Sequence, residues 1–435
     1  MEPYVLEWLN LLGRWFHLIA GIAWIGSSFY FVWLDAHLHA PRDGEEGTRL
    51  DLAGEVWSVH GGGFYRAQKF RVAPPELPEP LHWFKWEAYS TWMSGMFMLV
   101  LVYWLGADVY LVDPAVAALA PGTAVAIAAA FLVGGWLVYD ALCRSRLGDN
   151  EPVLAAILFV LCSLAAWGLC QLFSGRGAFI HFGAMLGTIM AANVFFVIIP
   201  GQKALVRAKQ EGRAPDPIHG LRGKQRSVHN TYFTLPVLFT MISNHYAVLT
   251  QHRFAWLALV GIALAGATIR LYLVLRHRGQ SRPLLLAVGL AALAGTFVLA
   301  MPRPAPTQAG AAVPTFAEVR TVVEQRCVGC HAAQPTYPGF ASPPKNVVLD
   351  SADAIVRQAQ AIHQQTVVTK AMPIGNLTQI TEAERAVIDG WYRAGAKPGP
   401  GADWAPGTPQ QLAAFVDTEI AKWKRVVAQA KIEVE

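Results

Sequence analysis

The chain has 435 residues, of which 54% are apolar and only 15% charged, and its formal net charge is +5. A water-soluble protein carries about 25% charged residues, so this composition excludes an ordinary soluble enzyme. The small positive charge does not indicate a nucleic-acid partner, because the basic residues lie in loops between apolar runs. The five cysteines do not indicate a disulfide framework.

Apolar runs of about 20 residues recur through residues 1–301, and each is long enough to cross a hydrocarbon core of ~30 Å. The acidic residues Glu2 and Glu7 begin the chain in place of a basic stretch, which predicts a retained first span rather than a cleaved signal peptide. We predict eight membrane-spanning helices, at about 8–34, 87–106, 122–143, 153–173, 178–200, 231–249, 254–275 and 283–301.

Histidines inside the predicted spans are candidates for function, because ionisable groups are costly in the bilayer. They are His17 in the first span, His181 in the fifth and His245 near the exit of the sixth. Imidazole could ligate a second cofactor here, either a haem b or a metal, or form a polar pocket for substrate and proton transfer. Hydrogen bonding that only holds helices together is the alternative interpretation, and it stays open.

The loop between the first two predicted spans is dense in histidine, aromatic and basic residues. It contains His60-Gly-Gly-Gly-Phe-Tyr65-Arg66, then Lys69, and it ends with His82, several aromatic residues and Glu87. With no strand predicted before them, the three glycines do not indicate a phosphate-binding loop. The aromatic residues could stack on a flat heterocycle, or they could form a belt at the membrane interface.

The C-terminal part carries a haem-attachment motif. Residues 302–312 are a Pro/Ala-rich linker, and residues 313–397 contain Cys327-Val-Gly-Cys330-His331. In the C-x-x-C-H pattern two thiols bind the vinyl groups of a c-type haem and the histidine ligates its iron. A stray zinc-binding or redox-active C-x-x-C is the alternative. Met372, which precedes a proline, is the predicted sixth ligand of the iron, and His363 is its competitor.

Helical patterns surround this motif. Phe316–Arg326 is predicted to be the amphipathic first helix of a cytochrome c, and Thr381 with Glu384 forms a capping box that starts a helix reaching Ala394. Residues 398–435 are predicted to be an amphipathic helical tail. The predicted fold is therefore all-α, a polytopic bundle of about eight spans followed by a class I-like cytochrome c domain.

The topology follows from the haem motif and from the loop charges. Haem is attached to C-x-x-C-H outside the bacterial cytoplasmic membrane, so the cytochrome domain should be periplasmic, and eight spans put the N-terminus on the same side. Loops predicted to be cytoplasmic carry eighteen Lys and Arg residues, against two in the loops predicted to be periplasmic. Both observations predict a bacterial inner-membrane protein whose N-terminus and cytochrome domain lie in the periplasm.

Several of these segments together resemble the bacterial membrane-bound urate oxidases, also called urate hydroxylases. The resemblance covers about residues 1–397, and the tail departs from the family pattern. Its motifs are the first span with His17 and Trp24, His60–Tyr65, Leu81–Tyr89, Ser227–Pro236 and Ser243–Tyr246.

This resemblance implies an enzyme that oxidises urate to 5-hydroxyisourate in purine breakdown without releasing hydrogen peroxide. Electrons would pass to one covalent haem c, held by Cys327, Cys330, His331 and Met372, and then to respiratory cytochromes or a terminal oxidase. Arg66 and Lys69 are candidate anchors for the anionic purine. The candidates for proton transfer or binding are His17, His60, His82, Glu87 and His229.

Two other functions stay open from the residues alone. One is a membrane electron-transfer protein that carries electrons from quinol or a haem b to haem c, without chemistry on a small molecule. The other is a copper- or haem-handling permease that carries a redox sensor.

Overall fold

The computed structural model describes residues 3–277, 279–301, 313–338, 340, 342–398 and 420. It is mostly helical and divides into two compact units. The first contains the described residues up to 301 together with 368–377, and the second contains those of 313–367 and 378–420. The predicted linker over 302–312 and nearly all of the predicted tail over 398–435 lie outside the described residues.

The first unit is built from long helices joined by short turns. Asn150, Ser174 and Asp216 each cap the start of a long helix by accepting a hydrogen bond from a backbone N–H of its first turn. Its helices are α1 (Pro3–Ala36), α2 (Gly44–Arg49), α3 (Trp86–Met98), α4 (Ala107–Tyr110), α5 (Pro121–Arg144), α6 (Glu151–Leu172), α7 (Gly175–Ala192), α8 (Ile199–Gln210), α9 (Pro217–Ile242), α10 (Ala247–Thr250), α11 (Ala255–His277) and α12 (Pro283–Leu299).

Short stretches of other helical types interrupt this pattern. Leu99–Trp104 and Asn193–Ile198 are π-helical, and the second of them joins α7 and α8 into one continuous helix. Arg146–Asp149 and Ser243–His245 are 3₁₀ turns. A π-helical turn holds one extra residue, so it changes the direction in which the following side chains point.

Five of the described helical stretches are long and apolar enough to cross a membrane, and α12 is apolar but shorter. The five are Val5–Ala36, Pro121–Arg144, Glu151–Leu172, Gly175–Gln210 and Ala255–His277. The predicted spans at 87–106 and 231–249 coincide with α3 and its π-helical continuation and with the second half of α9. Several long apolar helices therefore fit a membrane protein, while the number of eight spans stays a prediction.

A β-hairpin in the first loop corrects the all-α prediction. β1 (Leu52–His60) pairs antiparallel with β2 (Gly63–Phe70). Gly61 and Gly62 connect the strands with φ of +57° and +82°, the left-handed values that a tight two-residue hairpin turn requires. The run of three glycines is therefore explained by a chain reversal.

The core of the first unit centres on α7, which packs between α5 and α9. Phe179, Phe182 and Leu186 of α7 are buried there. At Gly183 the helices approach so closely that an added Cβ would lie 1.8 Å from Thr240 Oγ1 of α9 and 2.8 Å from its Cβ. This approach needs a residue without a side chain at position 183.

The second unit is a small helical domain around an apolar core. Two capping boxes start its main helices, at Thr315 with Glu318 and at Thr381 with Glu384, and the second confirms the sequence-based prediction. α13 and α17 meet through Phe316 and Trp391. Its helices are α13 (Phe316–Arg326), α14 (Val328–His331), α15 (Ala352–Arg357), α16 (Ala359–His363) and α17 (Glu382–Arg393), with a 3₁₀ turn at Pro344–Asn346. A π-helical turn at Gln364–Val368 ends at the boundary between the units, and the 3₁₀ turn at Ile374–Asn376 belongs to the first unit.

The close approach of α7 and α9 yields a prediction. Gly183→Ala should lower the free energy of unfolding by about 1–3 kcal/mol, because the added methyl group collides with Thr240. The control is Gly187→Ala, one turn later on α7, where an added Cβ meets nothing within 4 Å. That control should be neutral or stabilising by up to about 1 kcal/mol. Thermal unfolding in detergent measures both, and equal midpoints would contradict the packing described.

Candidate functional site

A group of polar side chains lies where α5, α6 and α9 meet the π-helical turn after α7. We call it the His229 network, and it consists of Tyr139, Glu151, Asn193, His229 and Asn230. All of them except Glu151 are buried; Tyr139 is only 2% exposed and His229 6%. Because water does not reach the four buried groups, their hydrogen bonds must be made within the protein.

His229 connects the two ends of this network. Its Nδ1 lies 2.8 Å from the Tyr139 hydroxyl, and its Nε2 lies 3.0 Å from Glu151 Oε2. Since an ionised carboxylate only accepts hydrogen bonds, we assign the ring proton to Nε2, so that Nδ1 accepts from Tyr139. The Glu151 side chain is 55% exposed, so the network runs from the protein interior to solvent.

Two asparagines complete the network on its inner side. Asn193 Nδ2 donates to the Tyr139 hydroxyl at 3.1 Å and to Asn230 Oδ1 at 2.9 Å, and Asn230 Nδ2 donates to the Met190 carbonyl at 3.0 Å. Asn193 is the first residue of the π-helical turn, which is a common feature of functional sites. Its Oδ1 is buried and has no hydrogen-bond partner in the described part of the chain.

A buried ion pair flanks the network. Arg226 Nη2 donates to Asp140 Oδ1 at 2.8 Å, and the guanidinium carbon lies 4.9 Å from the centroid of the Tyr139 ring. Arg226 Nη1 is buried without a hydrogen-bond partner among the described residues. An acceptor on a small molecule, or a water, could satisfy it, and a donor could satisfy Asn193 Oδ1.

His17 is held against α3. Its Nδ1 lies 2.9 Å from Ser94 Oγ and 3.1 Å from the Thr91 carbonyl oxygen. Gly95 allows this contact, because an added Cβ there would lie 3.0 Å from His17 Cε1. Glu87 lies in the first turn of the same helix, two turns before Ser94.

His82 and Glu87 come near each other at the start of α3. Their nearest side-chain atoms, His82 Nε2 and Glu87 Oε1, are 3.9 Å apart, and His82 is exposed. The second carboxylate oxygen of Glu87 is buried and has no hydrogen-bond partner in the described chain. The structure thus pairs these two predicted residues, while His229 belongs to the separate network described above.

The predicted site residues on the β-hairpin are either exposed or paired with carboxylates. His60 is exposed at the end of β1. Arg66 is ion-paired with Glu46 and Glu55, and Lys69 Nζ lies 2.6 Å from Asp35 Oδ1. The backbone N–H of Arg42 and the Arg66 guanidinium lower the pKa of Glu55, so this carboxylate stays ionised. Both predicted anchors of an anionic purine therefore already have carboxylate partners.

The other two histidines of the predicted spans are separate from the network. His181 is fully buried, its Nδ1–H donates to the Gly177 carbonyl at 2.8 Å, and its Nε2 accepts from Trp104 Nε1 at 3.1 Å. Both ring nitrogens are thus used within the protein. His245 is exposed in a 3₁₀ turn. Over the described ranges, no three His, Cys, Asp or Glu side chains come together to hold a metal ion.

The C-x-x-C-H segment forms one helical turn in the second unit. The backbone N–H groups of Cys330 and His331 both donate to the Cys327 carbonyl, at 3.2 and 2.9 Å. The cysteines are not disulfide-bonded, and burial raises the pKa of the Cys327 thiol to about 12. His331 Nδ1 donates to the Val347 carbonyl at 2.9 Å, which directs Nε2 away as a ligand nitrogen. These donors suit a haem c.

The two candidate sixth ligands differ in their surroundings. His363 Nε2 lies 2.8 Å from Asp389 Oδ1, and its ring stacks on Tyr392 with centroids 4.1 Å apart. Met372 is half-buried in the segment 368–377. The ion pair engages Nε2 of His363, and Met372 stays the predicted ligand.

Three residues of this site escaped the sequence-based analysis. Tyr139 and Glu151 lie near the ends of predicted spans, where polar residues are common, and Arg226 was counted only as a loop charge. The available signal was an acidic residue at the first position of an apolar helix, in Asn150-Glu151-Pro152.

Comparison with known proteins gives one match. A family model described as urate oxidase N-terminal matches residues 3–301. No curated protein and no solved structure was found to match the chain. The matched range contains the whole His229 network and ends before the C-x-x-C-H motif.

The shared hydroxyl of Tyr139 yields a prediction. Tyr139→Phe leaves buried groups of Asn193 and His229 without a partner, which should lower the free energy of unfolding by about 1–3 kcal/mol. The control is Tyr89→Phe on α3, because that hydroxyl makes no hydrogen bond to a described residue. Thermal unfolding in detergent compares them. Equal midpoints for the two variants would mean that the hydroxyl does not hold the network together.

Proposed function

The chain belongs to the urate oxidase N-terminal family, and on that premise we propose that it oxidises urate to 5-hydroxyisourate in purine breakdown. In this reaction the elements of water are added to the purine, and two protons and two electrons leave. The observation that carries the proposal is the family match over residues 3–301, which is the range that contains the buried His229 network. The reaction needs a proton acceptor, a contact that orients the ring and an electron acceptor.

The His229 network would supply the proton acceptor. A proton released in the interior reaches His229 Nδ1 through the Tyr139 hydroxyl, while the proton on Nε2 passes to Glu151 Oε2. Because Glu151 is largely exposed, its carboxylate can release the proton to water. A general base of this kind contributes about 10²–10⁴-fold to the rate of a reaction.

The other sequence-predicted residues contribute unequally to this proposal. His17 and Glu87 lie on the contact between α1 and α3, and the unpaired Glu87 oxygen could accept a hydrogen bond from the purine. We assign no step to His60 or His82, because both are exposed. Arg66 and Lys69 receive none because each is paired with a carboxylate.

The C-x-x-C-H segment would supply the electron acceptor. Cys327 and Cys330 would hold a haem c covalently, with His331 and Met372 as the iron ligands. A haem bound there would accept electrons one at a time for transfer to a respiratory cytochrome or terminal oxidase, so no hydrogen peroxide would form. The hydrogen bond from His331 Nδ1 to the Val347 carbonyl supports this role, because it fixes the ring for ligation through Nε2.

The proposal includes a location in the bacterial inner membrane, with the N-terminus and the haem-binding unit on the periplasmic side. The long apolar helices support the membrane location. The concentration of Lys and Arg in the loops predicted to be cytoplasmic supports the orientation.

Anaerobic addition of urate to the purified full chain tests the function. Urate should reduce the haem c, and His229→Gln should slow this reduction by about 10²–10⁴-fold, while reduction by dithionite stays unchanged. The control is His219→Gln, on the same helix and outside the network. Absorption spectroscopy of the haem follows each reaction.

Two outcomes would contradict the proposal. A haem that urate leaves oxidised but that quinol reduces would favour a membrane electron-transfer protein. A His229→Gln variant as fast as the unchanged chain would remove His229 from the proton path.

The haem assignment has its own prediction. Cys327→Ala combined with Cys330→Ala should abolish covalently bound haem, because both thioether bonds are lost, whereas Cys143→Ala in α5 should retain it. Haem staining of a denaturing gel, with pyridine haemochrome spectra, measures this. Pigment that persists in the double variant, or zinc bound in place of haem, would contradict the assignment.

A further inference from the structure

Arg270 is a buried cation in the helical unit. It lies on α11 and is 9% exposed. It precedes the end of this helix by seven residues, which corresponds to about 10 Å. Its Nε and Nη2 are buried and have no hydrogen-bond partner in the part of the chain that the structure describes.

The contact that Arg270 makes leaves these donors unsatisfied. Its guanidinium carbon lies 3.9 Å from the centroid of the Phe29 ring on α1. A ring over the face of a guanidinium stabilises the charge, but the N–H groups point outward in the guanidinium plane and still need acceptors. Phe29 also precedes the end of its helix by seven residues, so the two side chains lie at the same depth.

Other arginines show that this state is unusual in the molecule. Arg226 is buried more deeply, at 3% exposed, yet it is paired with Asp140. Arg276, in the last turn of α11, reaches solvent, as a basic residue at the end of a membrane helix usually does. Arg270 does neither, and a charged residue within an apolar helix is expected to serve a ligand or pathway.

We propose that Arg270 binds the anionic purine, with Nε and Nη2 donating two parallel hydrogen bonds to neighbouring acceptors on one edge of the ring. This inference rests on the proposed function and names the substrate anchor of the same site. Nε–H and Nη2–H lie on the same edge of a guanidinium, which is the arrangement that pairs with a planar oxyanion. Urate is such an anion near neutral pH.

The position of Arg270 suits this role. One turn before Arg270, α11 packs closely against α9, since an added Cβ at Gly266 would lie 3.1 Å from Leu235 Cβ, and Leu235 follows His229 by six residues. A purine held by Arg270 is therefore bound beside the helix that carries the proposed proton acceptor. In contrast, an anion would have to displace Glu46 and Glu55 from Arg66, or Asp35 from Lys69.

Urate binding to the holoenzyme tests the inference. The haem is first reduced with ascorbate under argon so that no turnover occurs, and radiolabelled urate is equilibrated across a dialysis membrane. Arg270→Gln should raise the Kd at least about tenfold, because a charge-assisted bidentate contact is lost. Arg270→Lys should lose less, since it keeps the charge without the planar fork. Arg276→Gln, on the same helix, is the control and should bind as the unchanged chain does.

Thermal unfolding separates a binding role from a structural one. Without urate, Arg270→Met should unfold at the same or a higher temperature than the unchanged chain, because an unpaired buried charge is removed. Urate should raise the unfolding temperature of the unchanged chain and leave that of Arg270→Met unaffected. A large destabilisation by Arg270→Met without urate would overturn the inference, since the cation would then have a structural partner.

The outcomes distinguish this inference from the proposed function. If the unchanged chain binds urate and its haem is reduced by it, while Arg270→Gln keeps the same Kd, only the assignment of Arg270 fails. The same result accompanied by loss of bound lipid phosphate would identify a lipid headgroup as the partner of Arg270 and also overturn the assignment. If the unchanged chain neither binds nor oxidises urate, the proposed function fails and this inference with it.

Discussion

Polar groups inside a bundle of apolar helices must be satisfied by one another, and this constraint explains how the first unit is arranged. The Tyr139 hydroxyl satisfies two partners at once, since it hydrogen-bonds with both Asn193 and His229. Three separate parts of the chain are thereby held in one geometry: α5, the π-helical turn and α9. The same demand fixes the direction of Glu151, whose carboxylate faces His229 on one side and water on the other. Apolar packing alone would not require hydrogen bonds in these directions.

The sequence predicts the helices better than the contacts between them. Apolar runs reveal α5, α6 and α11 because composition and length decide whether a segment can cross a bilayer. Contacts such as that between Tyr139 and His229 join residues ninety positions apart, and no local pattern encodes them. The hairpin was missed for a different reason. Its turn signal, two glycines between aromatic and β-branched residues, was present, but the aromatic residues around it were interpreted either as a surface for a flat heterocycle or as an interfacial belt.

In the second unit the local signals are stronger. A capping box is contained within four residues, so Thr381 and Glu384 were sufficient to predict the start of α17. The partner of His363 Nε2, however, is Asp389, which lies 26 residues beyond the histidine. The orientation of His331 likewise depends on the Val347 carbonyl, sixteen residues away. Motifs therefore identify the kind of site, while long-range contacts decide which atoms are available in it.

The arginines illustrate how a buried charge indicates function. An exposed ion pair contributes only about 0–1 kcal/mol, so such pairs say little about why a residue is present. A buried cation without a partner destabilises a fold by several kcal/mol, and a residue that serves packing alone would be replaced by an apolar one of similar size. Arg226 avoids this cost through Asp140, whereas Arg270 lies against the face of Phe29 and its Nε and Nη2 have no hydrogen-bond partner among the described residues. A negatively charged ligand that completes the hydrogen bonds of Arg270 would recover that free energy on binding, so the cost of burying the cation would contribute to its affinity for the anion.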